Sequence, residues 1–125
     1  MYLPGTRILL LGSSAAEIYG LEDAICQMAP VAVSAVHDVD VANRMLFEFA
    51  PHVVIVMPLR SARMAEEFLD TAVHTDALCM CVRGVRPLEL NGSAHRVVML
   101  PSSVGPKGIV AALRRYGVIE GDMDL

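Results

Sequence analysis

Two stretches of the chain could hold a phosphate or another small anion. Gly12-Ser13-Ser14 follows one short apolar run, and Ser102-Ser103-Val104-Gly105-Pro106-Lys107 follows another. Both lead from what read as adjacent central strands into helical patterns. Backbone N–H groups at two helix starts, the hydroxyls of Ser13, Ser14, Ser102 and Ser103, and the cations of Arg60, Arg83 and Lys107 could therefore form an anion cradle. Neither the Walker spacing nor Gly-x-Gly-x-x-Gly is present, and helix capping explains the serines without a ligand. The Gly-x-Ser-x-Gly pattern of a strained nucleophile turn is also missing, and no catalytic triad is legible.

Metal and thiol chemistry find less support. Cys79 and Cys81 are two residues apart, which on a strand places both on one face. A zinc site needs about four ligands, and His37, His52, His74 and His95 stand at no metal-ligand spacing. The cysteines are expected in the core and the histidines at element edges. The eight methionines, Met45, Met57, Met64, Met80 and Met99 among them, fall mostly on core faces as flexible gap fillers. No metal and no cofactor is expected.

The elements that must position these residues alternate. Arg7 to Leu11 is a nearly continuous apolar run, the pattern of a strand buried on both faces. Ser14-Ala-Ala-Glu17 has capping-box spacing, and Ile18, Leu21, Ile25 and Met28 recur at helical intervals up to Pro30. Val31 to Val36 predicts a second strand. Asp38 and Asp40 are both suitable N-caps for a helix with Ala42, Met45, Leu46 and Phe49 as its buried stripe. Val53 to Met57, bounded by Pro51 and Pro58, predicts the sheet's central strand. Residues 61–74 place Met64, Ala65, Phe68, Leu69 and Ala72 on one helix face. Leu78 to Val82 and Arg96 to Leu100 predict two further strands. Between them, Pro87 and Asn91-Gly92 leave a fourth helix short or missing. A last helix from about Lys107 to Tyr116 is expected to turn Ile109, Ala112, Leu113 and Tyr116 inward. The fold class is thus α/β, a flavodoxin-like (βα)5 three-layer sandwich with a parallel sheet of order 2-1-3-4-5. One domain is expected over 1–119, with 120–125 a frayed acidic tail.

Composition limits the function classes. The chain has 125 residues, 54% of them hydrophobic and 19% charged, too apolar for disorder. No apolar run approaches membrane-spanning length, and the N-terminus has no signal-peptide pattern. Three cysteines cannot form a disulfide framework. A cytoplasmic location is expected. The net charge of −4 hides an asymmetry: from Arg83 to Tyr116 six basic residues face Glu89 alone, a balance of +5 that leaves −9 elsewhere.

In this architecture ligands sit outside the carboxyl ends of the strands. Gly12 to Ser14, Met57 to Arg60, Arg83 to Gly84 and Pro101 to Ser103 supply that rim with no carboxylate, so a Mg²⁺ site there is poorly furnished.

From about Arg7 to Tyr116 the order of elements resembles a receiver domain of bacterial two-component signalling. Arg7-Ile-Leu-Leu-Leu-Gly-Ser13 resembles the family's first strand with its acidic pair. Pro51-His-Val-Val-Ile-Val-Met57 resembles the run that ends in the phosphoacceptor, and Ser13 and Met57 are 44 residues apart, a typical spacing. Val97-Val-Met-Leu-Pro101 looks like the final strand with its Lys-Pro end, and Gly108 to Arg115 like the last helix. Carried across, the acidic pair falls on Gly12 and Ser13, the phosphoacceptor on Met57, the hydroxyl after strand four on Val82, and the lysine on Leu100. None of these side chains can do the family's chemistry. The resemblance therefore implies a degenerate form, a pseudo-receiver or atypical response regulator, whose signalling surface is fixed by packing.

The expected function is a phosphorylation-independent protein–protein interaction module in bacterial signalling or regulation, with no catalytic activity. Its contact surface is expected at Arg83, Arg86, Arg96, Arg114, Arg115 and Tyr116, facing an acidic partner protein or a second copy of the chain. One alternative is a small-anion or nucleotide-binding domain using the strand-end serines. Another is the regulatory domain of a transcription factor. No membrane partner is expected. A sequence pI near 5.4, one lysine and no visible reading element argue against nucleic acid for this domain alone.

Overall fold

The computed structural model describes residues 5–83 and 97–117. Five strands, β1 Arg7–Leu11, β2 Ala32–Val36, β3 Val53–Val56, β4 Leu78–Arg83 and β5 Val97–Pro101, form one parallel sheet in the order β2-β1-β3-β4-β5. Among the described residues four helices cover it: α1 Ala15–Met28, α2 Val39–Glu48, α3 Ala62–Ala72 and α4 Pro106–Arg115. The expected flavodoxin-like layout is the observed one. The segment expected to hold a short or missing helix lies outside the described residues, as do Arg86, His95, Arg96 and the 120–125 tail.

The apolar runs fold this way because their two side-chain rows enter two different layers. Ile8, Leu10, Ile55 and Met80 pack beneath Ile18, Leu21 and Ile25 of α1 and Ile109, Val110 and Leu113 of α4. Leu9, Leu11, Val54, Val56, Cys79 and Cys81 pack beneath Ala42 and Leu46 of α2 and Ala65, Phe68, Leu69 and Ala72 of α3. Every residue of β3 is 0% exposed, so burial on both faces leaves that strand no room for polarity.

Capping sets the helix starts. The Ser14 hydroxyl accepts the Glu17 N–H at 3.3 Å. Asp38 Oδ1 accepts the N–H groups of Asp40 at 2.7 Å and Val41 at 3.3 Å, so of the two candidate caps the chain uses Asp38 and places Asp40 within the first turn. Ser61 accepts the Met64 N–H at 3.4 Å. Gly105 offers α4 no side-chain cap, and Pro106 begins the helix with no N–H to satisfy.

Three side chains expected inside are exposed: Met28, Met64 and Tyr116. Met28 ends α1. Met64 stands in the first turn of α3, above the strand ends rather than over the sheet. Tyr116 follows the last turn of α4, where the backbone leaves the helix before Gly117 at φ +75°. Met99 is exposed as well, and Met45 half-buried, so gap filling accounts for Met57 and Met80 but not for all five methionines.

Below the sheet, Arg7 ties β1 to the end of α2. Its Nε donates to the carbonyls of Phe49 at 2.9 Å and Ala50 at 3.0 Å, and Nη2 to Ala50 at 2.8 Å. Its main-chain N–H donates to His52 Nδ1 at 2.9 Å, which makes His52 an edge residue holding a strand end. A cation on the free carbonyls of a helix terminus is favoured by the helix dipole. Ala50 adopts φ +49°, a left-handed conformation that costs an L-residue roughly 1 kcal/mol. Ala50→Gly is therefore expected to stabilise the fold by about 0.5–1 kcal/mol. A thermal melt checks this; an unchanged or lower Tm would show that the turn is not strained.

Candidate functional site

The ladder extends one residue past β1 and β3. Gly12 N–H donates to Val36 O at 3.2 Å, and Met57 N–H to Leu11 O at 2.7 Å, which sets Gly12 beside Met57 at the centre of the sheet's carboxyl edge. A Cβ at position 12 would lie 2.4 Å from Ile18 Cγ2 and 3.2 Å from Met57 Cβ. Ile18 is itself fully buried, so neither neighbour can easily give way. Met57 is 6% exposed and Val82 0%, both within the α1 and α4 layer, with Leu100 and Val104 half-buried against them. Positions 12, 57, 82 and 100 thus close into apolar packing. Of that set and Ser13, Ser13 is the exposed one, and its hydroxyl donates to Pro58 O at 3.3 Å.

The rim does hold carboxylates, contrary to the reading that omitted the end of β2. Beside the filled centre a cleft of about 540 Å³ opens between the loops after β1, β2 and β3 and the start of α3. Ser13, His37, Asp38, Val39, Asp40, Leu59, Arg60, Met64 and Glu67 line it. Asp38 is occupied in capping α2, and Glu67 accepts Arg63 Nε at 3.1 Å one helical turn away. Asp40, His37 and Arg60 are exposed at the mouth. The cleft offers a hydroxyl, a guanidinium and carboxylates over a small apolar floor, a set that can orient a polar ligand. Among the described residues no group of three or more His, Cys, Asp or Glu is placed to hold a metal ion.

Of the seven residues expected to form an anion cradle, Ser13 and Arg60 line the cleft. Ser14 caps α1, while Ser102, Ser103 and Lys107 are exposed around the turn from β5 into α4. The two serine stretches do not leave adjacent strands. β3 and β4 lie between β1 and β5, so three inter-strand spacings, roughly 14 Å, separate them. Asp38 and Asp40 read from the sequence as helix caps alone, because a carboxylate at a helix start does; their position directly after an apolar run is the signal that places them at the rim.

The basic half of the sequence is also divided. Arg83 ends β4 at the carboxyl edge. Arg114 and Arg115 stand in the last turn of α4, which runs back against the strands, so they and Tyr116 lie at the opposite end, roughly 20 Å away for a six-residue strand. All three are exposed. Cys79 and Cys81 are each 1% exposed, and burial pushes the Cys79 thiol up to about 11, so at neutral pH it remains protonated and inert. Cys26, in contrast, is exposed and its thiol lies 3.7 Å from Val31 O.

The sequence matches no protein-family profile, and no curated protein matches it. Among solved structures the chain is similar to a putative pilus assembly protein, CpaE, from Burkholderia thailandensis E264. The TM-score is 0.66 at 14% identity, over 87% of this chain and 95% of that one. That likeness supports the α/β layout described above. No helix among the described residues is long and apolar enough to cross a membrane.

The packing at Gly12 makes a direct test. Gly12→Ala should destabilise the fold by about 1–3 kcal/mol, lowering Tm by several degrees, because the methyl must displace buried Ile18 or Met57. Ser13→Ala next to it should change Tm little. Equal melting of Gly12→Ala and the parent would show that the carboxyl edge has room to spare.

Proposed function

We propose that the protein is a receiver-like module that acts by docking to another protein, without catalytic activity and without phosphotransfer. The observation behind this reading is the apolar closure of the central carboxyl edge by Gly12, Ile18, Met57 and Val82. A thioether offers no oxygen for aspartyl-type phosphorylation, and Gly12 and Ser13 carry no carboxylate to gather charge. The similarity to a putative pilus assembly protein is compatible with a part whose work is to join an assembly. Bacterial signalling or regulation is the setting this reading implies.

The contact is assigned to the exposed end of α4, where Arg114, Arg115 and Tyr116 combine two guanidinium groups with a half-exposed aromatic ring. An acidic protein surface suits it. Native mass spectrometry of the protein enriched gently from its host should show a bound protein, and Arg114→Glu with Arg115→Glu should lower its occupancy at least about tenfold while circular dichroism stays native. Undiminished binding by the double variant would overturn this surface, and a phosphoryl adduct after treatment with acetyl phosphate would overturn the phosphorylation-independent reading.

A second reading, in which the domain binds a small anion or nucleotide, would place that ligand at Ser13 and Arg60 of the cleft, against the carboxylates of Asp38, Asp40 and Glu67. Ligand at a hundred times its Kd stabilises a fold by about 2.7 kcal/mol, so nucleotides and inorganic phosphate should raise Tm if this holds. Arg60→Ala should abolish that rise. A flat response across those ligands removes the reading.

A further inference from the structure

The two edges of the sheet are built differently. β5 ends in Pro101, which cannot donate a main-chain hydrogen bond. β2 is Ala-Val-Ser-Ala-Val, with no charge and no proline, and it pairs with β1 alone among the described residues. Natural proteins usually guard such an edge with lysine, proline or a bulge.

The register shows which backbone groups are left over. Ala32 N–H donates to Thr6 O at 2.8 Å, and Val36 O accepts the Gly12 N–H at 3.2 Å. Alternation along a strand therefore turns the polar groups of Ala32, Ser34 and Val36 toward β1, and those of Val33 and Ala35 outward. The side chains of Val33 and Ala35 are already packed in the α1 layer. What β2 presents sideways is main chain.

We propose that β2 pairs antiparallel with β2 of a second copy, about a two-fold axis through Ser34, joining two five-stranded sheets into one. In that register Val33 faces Ala35 of the other copy and Ala35 faces its Val33. Both have outward N–H and C=O groups, so the two pairs close four main-chain hydrogen bonds. Ser34 meets its own copy on the axis, where two hydroxyls can bond. Ala32 faces Val36, and Asp38 comes opposite Pro30, so no charge meets a like charge across this seam. Because the same segment supplies both halves, a second copy satisfies the edge without any further sequence requirement. The seam is separate from the end of α4, and either assignment can fail without the other.

The test is the association state of the full chain, by sedimentation from low micromolar to near-millimolar concentration. A reversible dimer is expected. Ala35→Pro removes one outward donor per copy without touching the bonds to β1, and should weaken the dimer at least about tenfold with the circular dichroism unchanged. Should Ala35→Pro fail to fold, Ser34→Arg sets like charges on the axis and should have the same effect. In a Cys26→Ser background, Ser34→Cys should cross-link readily on mild oxidation, because facing residues in a non-hydrogen-bonded pair are about 4.5 Å apart at Cα. Ala32→Cys, four residues out of register with its own copy, should not. A monomer at every concentration overturns the proposal, as does a dimer unaffected by both edge variants or cross-linked equally well through residue 32.

Discussion

Burial of β1 and β3 on both faces is the constraint from which the rest of the molecule follows. Two adjacent parallel strands with no solvent face must be apolar throughout, and every residue from Ile8 to Leu11 and from Val53 to Val56 is fully buried. The helices take their places as the covers those strands require, α1 and α4 on one side and α2 and α3 on the other. The same demand continues past the last paired residue. Gly12 and Met57 prolong the packing to the rim, where many folds of this layout place their polar chemistry.

Polarity is displaced by one strand as a result. β2 is covered less completely, and the chain leaving it supplies His37, Asp38 and Asp40 to the cleft. Two helix starts border that cleft, since Asp38 caps α2 and Ser61 caps α3. At the far end of the sheet the interactions are structural in kind. Arg7 closes the α2 terminus, and His52 receives the first N–H of β1. The exposed guanidinium groups of Arg114 and Arg115 complement the α4 dipole there.

Most of the fold was legible because it rests on local pattern. Continuous apolar runs gave the strands, and Ser14 and the Asp38/Asp40 pair ahead of helical stripes gave the starts of two helices. Periodicity reports an angle around a helix axis but not whether sheet lies beneath that turn, which is why Met28, Met64 and Tyr116 were expected inside. The candidate site was less legible, because it depends on which strands are neighbours. Ser13 and Ser102 look equivalent along the chain, yet two strands separate them, and Arg83 and Arg115 fall at opposite ends of one sheet. Strand order is a property of crossovers rather than of composition, and the cleft lies where crossover geometry, not motif spacing, brought three loops together.

Gly12 and Met57 are in contact, so substitutions at the two positions cannot be independent. A carboxylate at 12 needs the space that Ile18 and Met57 occupy; a carboxylate at 57 would place a charge in an apolar layer. Each change alone lowers fitness of the fold before any new chemistry can repay it. A lineage carrying this pair therefore sits behind an epistatic barrier, free to vary at its surfaces yet held by its own interior from acquiring a charged centre one mutation at a time.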